Sequence, residues 1–402
     1  MDHPQALHTA EPISGKARSL PWDSVRGMAL FGIILMNIAS FKVPLFHEMT
    51  PYWPPFVEGG EWNTLWYHGL PHFLQNRFIT AFSLLFGIGL AWIYCKPEVT
   101  PQAPGILLRR LFVLALFGLA HITFLWLGDI LLSYALAGLL ALLWIHQSSS
   151  RLLLWGGLFF LCGQALGYLV SFYHFPYWGM NVDAVYHALR ENIPSNIAVY
   201  QEGNYTTQIA FRWNEYLLMS KGFFWHGTLI TLGLILIGLS IGKWIPYKTP
   251  IPRNIPLAIA AIFLFVLSGL WFLLDRDGIR FANLISFLFL YSLPILTSSL
   301  AWMIGLLFLC ARFPDFIGFR MLAATGRMPL TNYIGQSFIL AFIFHSWGLG
   351  YFGSITAWQG SLIAALVFLV MMTLSFWWIR YLPIGPMEWL WRKGTYARKH
   401  QT

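Results

Sequence analysis

Long apolar stretches, each closed by a cluster of basic, polar or aromatic residues, recur along the whole chain. A helix needs roughly 20 largely apolar residues to cross the hydrocarbon core of a bilayer. Ten stretches approach that length, at about 25–43, 77–95, 106–127, 129–146, 151–173, 223–245, 255–274, 283–309, 330–350 and 357–381. The third and fourth form one nearly unbroken tract. It is divided here at Gly128-Asp129, because one straight helix of that length would be about twice the bilayer thickness. The expected fold is all-α: a polytopic membrane protein of about ten transmembrane helices, one multi-pass domain over residues 1–402. A tail covers 1–24, and a C-terminal half covers 226–398. Two connections are long, 43–76 and 174–222, the second with a helix-like piece at 182–191. Loops of that length usually have work of their own, so both are expected to be lids or substrate-facing elements. The pairs Ser83/Gly87, Gly163/Gly167 and Gly238/Gly242 are spaced for close helix packing.

Polar residues inside the apolar runs are the next signal, since each must face other helices or water. Asn37 lies roughly 14 Å along the first helix from Met28, near the bilayer midplane at 1.5 Å per residue. His47 follows just past Pro44 at the far interface. His121 is eleven residues beyond Arg110, also at mid-membrane depth, and Asp129 stands at the apex after it. The bland readings are an interhelical hydrogen bond for Asn37 and His121, an interfacial ring for His47, and a helix N-cap for Asp129. Asn332 and Gln336 are four apart on one helical face, with Arg327 before them at the interface. Together these three suit a phosphate-bearing cofactor, because arginine pairs with phosphate oxygens in a bidentate way. The competing reading is a polar packing seam with a snorkelling arginine. His345 is nine residues past Gln336 and so points to the opposite face. Glu388 and Arg392, four apart, read as simple helix support.

Composition agrees with a membrane protein. The chain is 57% hydrophobic and 10% charged, with a mean hydropathy of +0.61, whereas soluble domains carry about 25% charged residues. The net charge of +9 invites a nucleic-acid reading, but the positions of the charges exclude it. With the N-terminus inside, 18 of the 25 Lys and Arg fall in cytoplasmic segments. The positive-inside rule therefore predicts that both termini are cytoplasmic, and the basic excess meets anionic membrane lipids. The 3 cysteines build no disulfide framework, and no metal site is expected from them or from the spacing of the histidines. Neither a glycine-rich phosphate loop nor a G-x-S-x-G nucleophile motif is present.

Several stretches carry a resemblance. WDSVRGMALFGIILMNIASF, ITAFSLLFGIGL, RRLFVLALFGLAHITFLWLGDILLSYALAGLL and the closing GRMPLTNYIGQS, GLGYFG and IGPMEWLWR are similar to the YeiB-like bacterial membrane proteins. That resemblance implies a polytopic inner-membrane protein whose C-terminal half is a domain of unknown function. More distantly, the R-G-x-A-L … N pattern of the first span resembles heparan-α-glucosaminide N-acetyltransferase and related membrane acyltransferases. There an Asn in the first span and a His just beyond it are catalytic, which would correspond to Asn37 and His47. Acyl transfer needs a base for the acceptor and a donor for the developing oxyanion, roles suited to His and Asn. The leading expectation is a membrane acyltransferase that moves an acyl group from cytoplasmic acyl-CoA to an envelope or extracytoplasmic acceptor, a small molecule or glycan. Asn37, His47, His121 and Asp129 would be its catalytic candidates, and Arg327, Asn332 and Gln336 its cofactor contacts. The alternative is a transporter or efflux protein for a small solute that uses the same intramembrane groups. A structural membrane protein with partner-binding loops is the third reading.

Overall fold

The computed structural model describes residues 19–44, 60, 63, 74–96, 102–173, 191–220, 223–246, 249–251, 255–275 and 288–396. Among them are fourteen α-helices and no strand. In chain order they are α1 (Leu20–Lys42), α2 (Arg77–Tyr94), α3 (Ala103–Phe124), α4 (Leu131–Ala141), α5 (Ser149–Tyr173), α6 (Ile193–Gln201), α7 (Tyr205–Ser220), α8 (Phe223–Trp244), α9 (Ile255–Asp275), α10 (Leu293–Arg312), α11 (Ile317–Arg327), α12 (Pro329–Phe344), α13 (Ala357–Tyr381) and α14 (Pro386–Thr395). Seven of these are long and apolar enough to cross a membrane, and three shorter apolar helices accompany them. Every apolar run of the sequence overlaps one of these ten helices. The protein is a multi-pass membrane protein.

Differences from the expected runs have local causes. The long third-and-fourth tract breaks where expected, since α3 ends at Phe124 and α4 begins at Leu131. Gly128 and Asp129 offer no helical continuation there. The ninth apolar run extends to residue 350, but α12 stops at Phe344 and His345 turns to extended backbone. At its other end α12 starts with Pro329 right after the kink at Met328, so α11 and α12 meet at a break. Proline has no N–H to give and suits a first helical turn.

Two packed halves share α1 and α2. Helix α8 is the hub of one half, lying along α2, α4 and α5. Helix α1 is the hub of the other, lying along α11, α13, α12 and α10. The glycine pairs make these crossings. A Cβ on Gly87 would strike the Ile235 carbonyl, and one on Gly238 would strike the Leu84 carbonyl, so α2 and α8 touch backbone to backbone. Gly27 and Gly326 do the same for α1 and α11. Apolar side chains left exposed on α3, α9 and α13, such as Phe112, Phe263 and Leu366, form the surface offered to lipid.

Hydrogen bonds tie the two ends of the bundle separately. At one end, where α1 begins and α14 lies, Lys243 Nζ donates to the carbonyls of Ile145 and Gln147, each at 2.7 Å. Arg109 Nε donates there to the Thr395 carbonyl at 3.0 Å. At the other end, the second half of the long 174–222 connection folds as α6 and α7 and is strapped to the bundle. Ser346 N donates to the Tyr200 carbonyl at 2.8 Å, and buried Arg212 donates to the Thr123 carbonyl at 2.8 Å. That arginine sits on the free carbonyls at the C-terminus of α3, where a cation is favoured. His47, nearly all of the 43–76 loop and all but the last residue of the 182–191 piece lie outside the described residues.

Candidate functional site

A cavity of about 240 Å³ opens at the end of the bundle that holds the start of α1 and the helix α14. Four arginines from four separate helices line it: Arg26 (α1), Arg110 (α3), Arg327 (the last residue of α11) and Arg392 (α14). Among the described residues, Asp23 and Glu388 are its two acidic neighbours. Four guanidinium groups against two carboxylates leave a positive surplus inside apolar surroundings. Charges are poorly screened there, so the cavity favours an anion.

Local packing places each charge. Arg26 NH1 donates to Asp23 Oδ1 at 2.6 Å, one helical turn away, and the Arg26 guanidinium faces the Trp92 ring at 6.0 Å. Arg110 lies 3.5 Å over the Trp391 ring, close enough for cation–π attraction, while Trp391 Nε1 donates to the Arg110 carbonyl at 2.8 Å. The Gly27–Gly326 crossing brings Arg327 to the side of Asp23 and Arg26.

Glu388 does more than support its own helix, the role its spacing suggests. Its Oε1 accepts the N–H groups of Leu330 and Thr331 at 2.7 and 3.1 Å, and its Oε2 accepts the Thr331 hydroxyl at 2.5 Å. The carboxylate thus satisfies the open N-terminus of α12 and bolts α14 against it. Burial pushes the Glu388 carboxyl above its ordinary range, and the Thr331 contacts oppose that rise. An acid raised on folding stabilises the fold when protonated. Its contribution is present at low pH and is lost as pH climbs from the ordinary glutamate value to the raised one. The thermal midpoint is therefore expected to be higher at pH 5 than at pH 8, with the difference shrinking in Glu388→Gln. An equal pH effect in both proteins would contradict this role.

The far end of the cavity is lined by apolar and aromatic side chains. Tyr134 stands between the rings of Phe82 and Phe86, at 5.9 and 5.5 Å. Its hydroxyl donates to the Ile79 carbonyl at 3.1 Å and accepts from Ser83 at 2.9 Å. Tyr333 forms the neighbouring wall and accepts the Ile130 N–H at 3.3 Å. Behind it, stacked at 5.0 Å on the Tyr333 ring, is His121.

His121 and Asp129 come together. His121 Nδ1 is 3.1 Å from Asp129 Oδ1, close but not aligned as a hydrogen bond, and the two side chains are 1% and 0% exposed. Asp129 Oδ2 accepts the Leu132 N–H at 2.7 Å, so it also serves the start of α4 as a cap would. His121 Nε2 is buried without a hydrogen-bond partner among the described residues. A buried His–Asp pair is costly unless matched, and such pairs mark functional sites in membrane proteins.

The other candidates are placed differently. Of Arg327, Asn332 and Gln336, only Arg327 lines the cavity. Asn332 is fully buried, and its amide is spent on the fold. It donates to the Thr325 and Met328 carbonyls at 3.1 and 2.9 Å and accepts from Ser375 at 3.0 Å, closing the α11–α12 break. Gln336 is buried one turn further on. Asn37 is half-buried and lines neither this cavity nor a second one, of about 10 Å³, beneath α6 and α7. That small cavity holds His345, beside Tyr200, Arg212 and Glu215, on the face away from the large one. The sequence does not mark Arg26, Arg110 or Tyr333 as site residues, and it reads Arg392 only as the helix partner of Glu388. Arg26 and Arg110 read there as two more positive-inside charges, and only the helix crossings gather the arginines.

Comparison with other proteins completes the picture. Residues 249–398 match a family described as "Protein of unknown function (DUF418)". Three relatives align over nearly the whole chain. The "Uncharacterized protein YxaH" of Bacillus subtilis is 28% identical, covering 93% of each chain. The "Uncharacterized 39.9 kDa protein in amylase 3'region" of Bacillus acidopullulyticus is 27% identical, covering 97% of each. The "Uncharacterized protein YeiB" of Escherichia coli is 26% identical, covering 94% of this chain and 96% of its own. The chain is similar to YeiB and these relatives over nearly its whole length. No solved structure matches it. The matched C-terminal segment supplies Arg327, Tyr333, Glu388 and Arg392, while the preceding part supplies Arg26, Arg110, His121 and Asp129. The site therefore spans both parts, and the DUF418 segment alone holds half of it.

Proposed function

We propose that this protein is a membrane-embedded acyltransferase of the bacterial inner membrane, with both termini and the basic mouth of the cavity facing the cytoplasm. The observation that carries the reading is a single cavity with four arginines at its mouth and an apolar depth ending on Tyr333, against which His121 and Asp129 are packed. That layout suits acyl-CoA, which has a phosphate-rich head and an apolar acyl end. Arginine is the side chain best matched to phosphate oxygens. A cavity of this volume takes the thioester arm, leaving the nucleotide at the open rim. The acceptor, a small molecule or glycan of the envelope, approaches from the opposite face.

In this reading His121 takes the proton of the acceptor hydroxyl or amine as that group attacks the thioester carbonyl. The new acyl–oxygen or acyl–nitrogen bond forms, the carbon–sulfur bond breaks, and the proton passes to the departing coenzyme A thiolate. Asp129 orients the imidazole and stabilises its charged form, as carboxylates do beside catalytic histidines. The Tyr333 ring screens His121 from the cavity, so each turnover requires that ring to move aside.

Inside-out membrane vesicles given acyl-labelled acyl-CoA test this directly. The expected result is release of free coenzyme A thiol matched by label on membrane or luminal material. A second reading, transport of a small organic anion, draws on the break at Met328, which aims the N-terminus of the 16-residue α12 at the cavity. Luminal uptake of an anion with no thiol released would favour transport and overturn transfer.

A further inference from the structure

Helix α2 presents a stripe to the cavity at Phe82, Phe86, Gly89 and Ile93, spaced as one helical face. Three of these are bulky. The fourth is a glycine with no atom within 4 Å of where its Cβ would stand. Two residues earlier, Gly87 is explained by backbone contact with α8, but no neighbour accounts for Gly89. A glycine inside a helix weakens it relative to alanine, and here no close packing offsets that loss. The space it leaves belongs to the cavity itself.

Its position along the helix is informative. On one side of Gly89 are Ile93, Trp92 and the Arg26 guanidinium, the basic mouth. On the other are Phe86 and Phe82, which flank Tyr134 in the aromatic depth. Seven residues separate Gly89 from Phe82, about 10 Å along the helix.

We infer that Gly89 is the throat of the cavity, through which an apolar chain passes from the basic mouth to the aromatic depth, so that the donor carries an acyl chain of several carbons and not acetyl. This rests on the acyl-CoA reading given above. A side chain at position 89 would part the cavity in two: the mouth would still hold the phosphates, and the depth would be closed to the chain.

The test is binding of coenzyme A, acetyl-CoA, dodecanoyl-CoA and dodecyl phosphate to the full-length protein in lipid nanodiscs, for wild type, Gly89→Leu and Gly89→Ala. Wild type is expected to bind dodecanoyl-CoA at least about tenfold more tightly than acetyl-CoA, since each buried methylene adds affinity. Gly89→Leu is expected to keep coenzyme A binding and lose that preference, with an unliganded melting temperature no lower than wild type. Gly89→Ala, which adds a single carbon into open space, should fold in any case and weaken the preference in part. Retention of the full chain-length preference in both variants would overturn the throat. No binding of any coenzyme A compound to wild type would overturn the acyl-CoA reading itself. Tight binding of dodecyl phosphate with none of coenzyme A, lost in Gly89→Leu, would keep the throat but replace the donor by a membrane lipid.

Discussion

Replacing His121 by alanine is expected to lower acyl transfer by about two to four orders of magnitude, the range typical of removing a general base. Donor binding should be nearly unchanged, because His121 lies behind Tyr333 and does not line the cavity. Asp129→Asn should lower transfer by a smaller factor, since its amide still accepts the Leu132 N–H but no longer holds an imidazolium. Thiol release from acyl-CoA in vesicles measures both variants, with the melting temperature of each showing that it is folded. Full transfer in His121→Ala would remove the pair from the chemistry and leave it a packing contact.

Gly326→Leu is expected to be the most damaging single change to the fold. Its Cβ would meet the Asp23 carbonyl and the Gly27 amide, both backbone, so no side chain can swing away. Overpacking a well-filled site costs typically about 1–3 kcal/mol, and more where the neighbour is rigid. The crossing of α1 and α11 must open, carrying Arg327 away from Asp23 and Arg26. A fall of several degrees in melting temperature together with weaker donor binding is expected. Gly105→Leu, where a Cβ meets nothing within 4 Å and no cavity is lined, serves as the control and should change neither. Wild-type melting in Gly326→Leu would show that the two helices tolerate a wider separation.

The membrane fold was legible because hydrophobic length is a direct constraint of the bilayer. Each apolar run has its helix, and the break near Gly128-Asp129 followed from bilayer thickness alone. Small residues four apart on α2 and α8 also marked a true crossing. The His121–Asp129 pair was half legible. Its members stood out as polar groups in an apolar tract, but their 3.1 Å contact depends on how the chain reverses between α3 and α4. The basic cavity was not legible. Arg26, Arg110 and Arg392 lie far apart in sequence, and nothing local separates them from other interfacial arginines. Asn332 shows the converse: a buried amide on a helix face resembles a binding group until its carbonyl partners in the α11–α12 break are seen. Glu388 likewise serves a helix 58 residues away, which i, i+4 spacing has no means to reveal.

Equilibrium binding by titration calorimetry decides whether the four-arginine cavity receives coenzyme A thioesters. Wild-type protein in nanodiscs is expected to bind dodecanoyl-CoA saturably. Arg327→Ala and Arg392→Ala should each weaken that binding about tenfold or more, the loss expected for a charge-assisted contact to phosphate. Absence of binding to wild type, or equal affinity in both arginine variants, would contradict acyl-CoA as the donor and return the cavity to the transport reading.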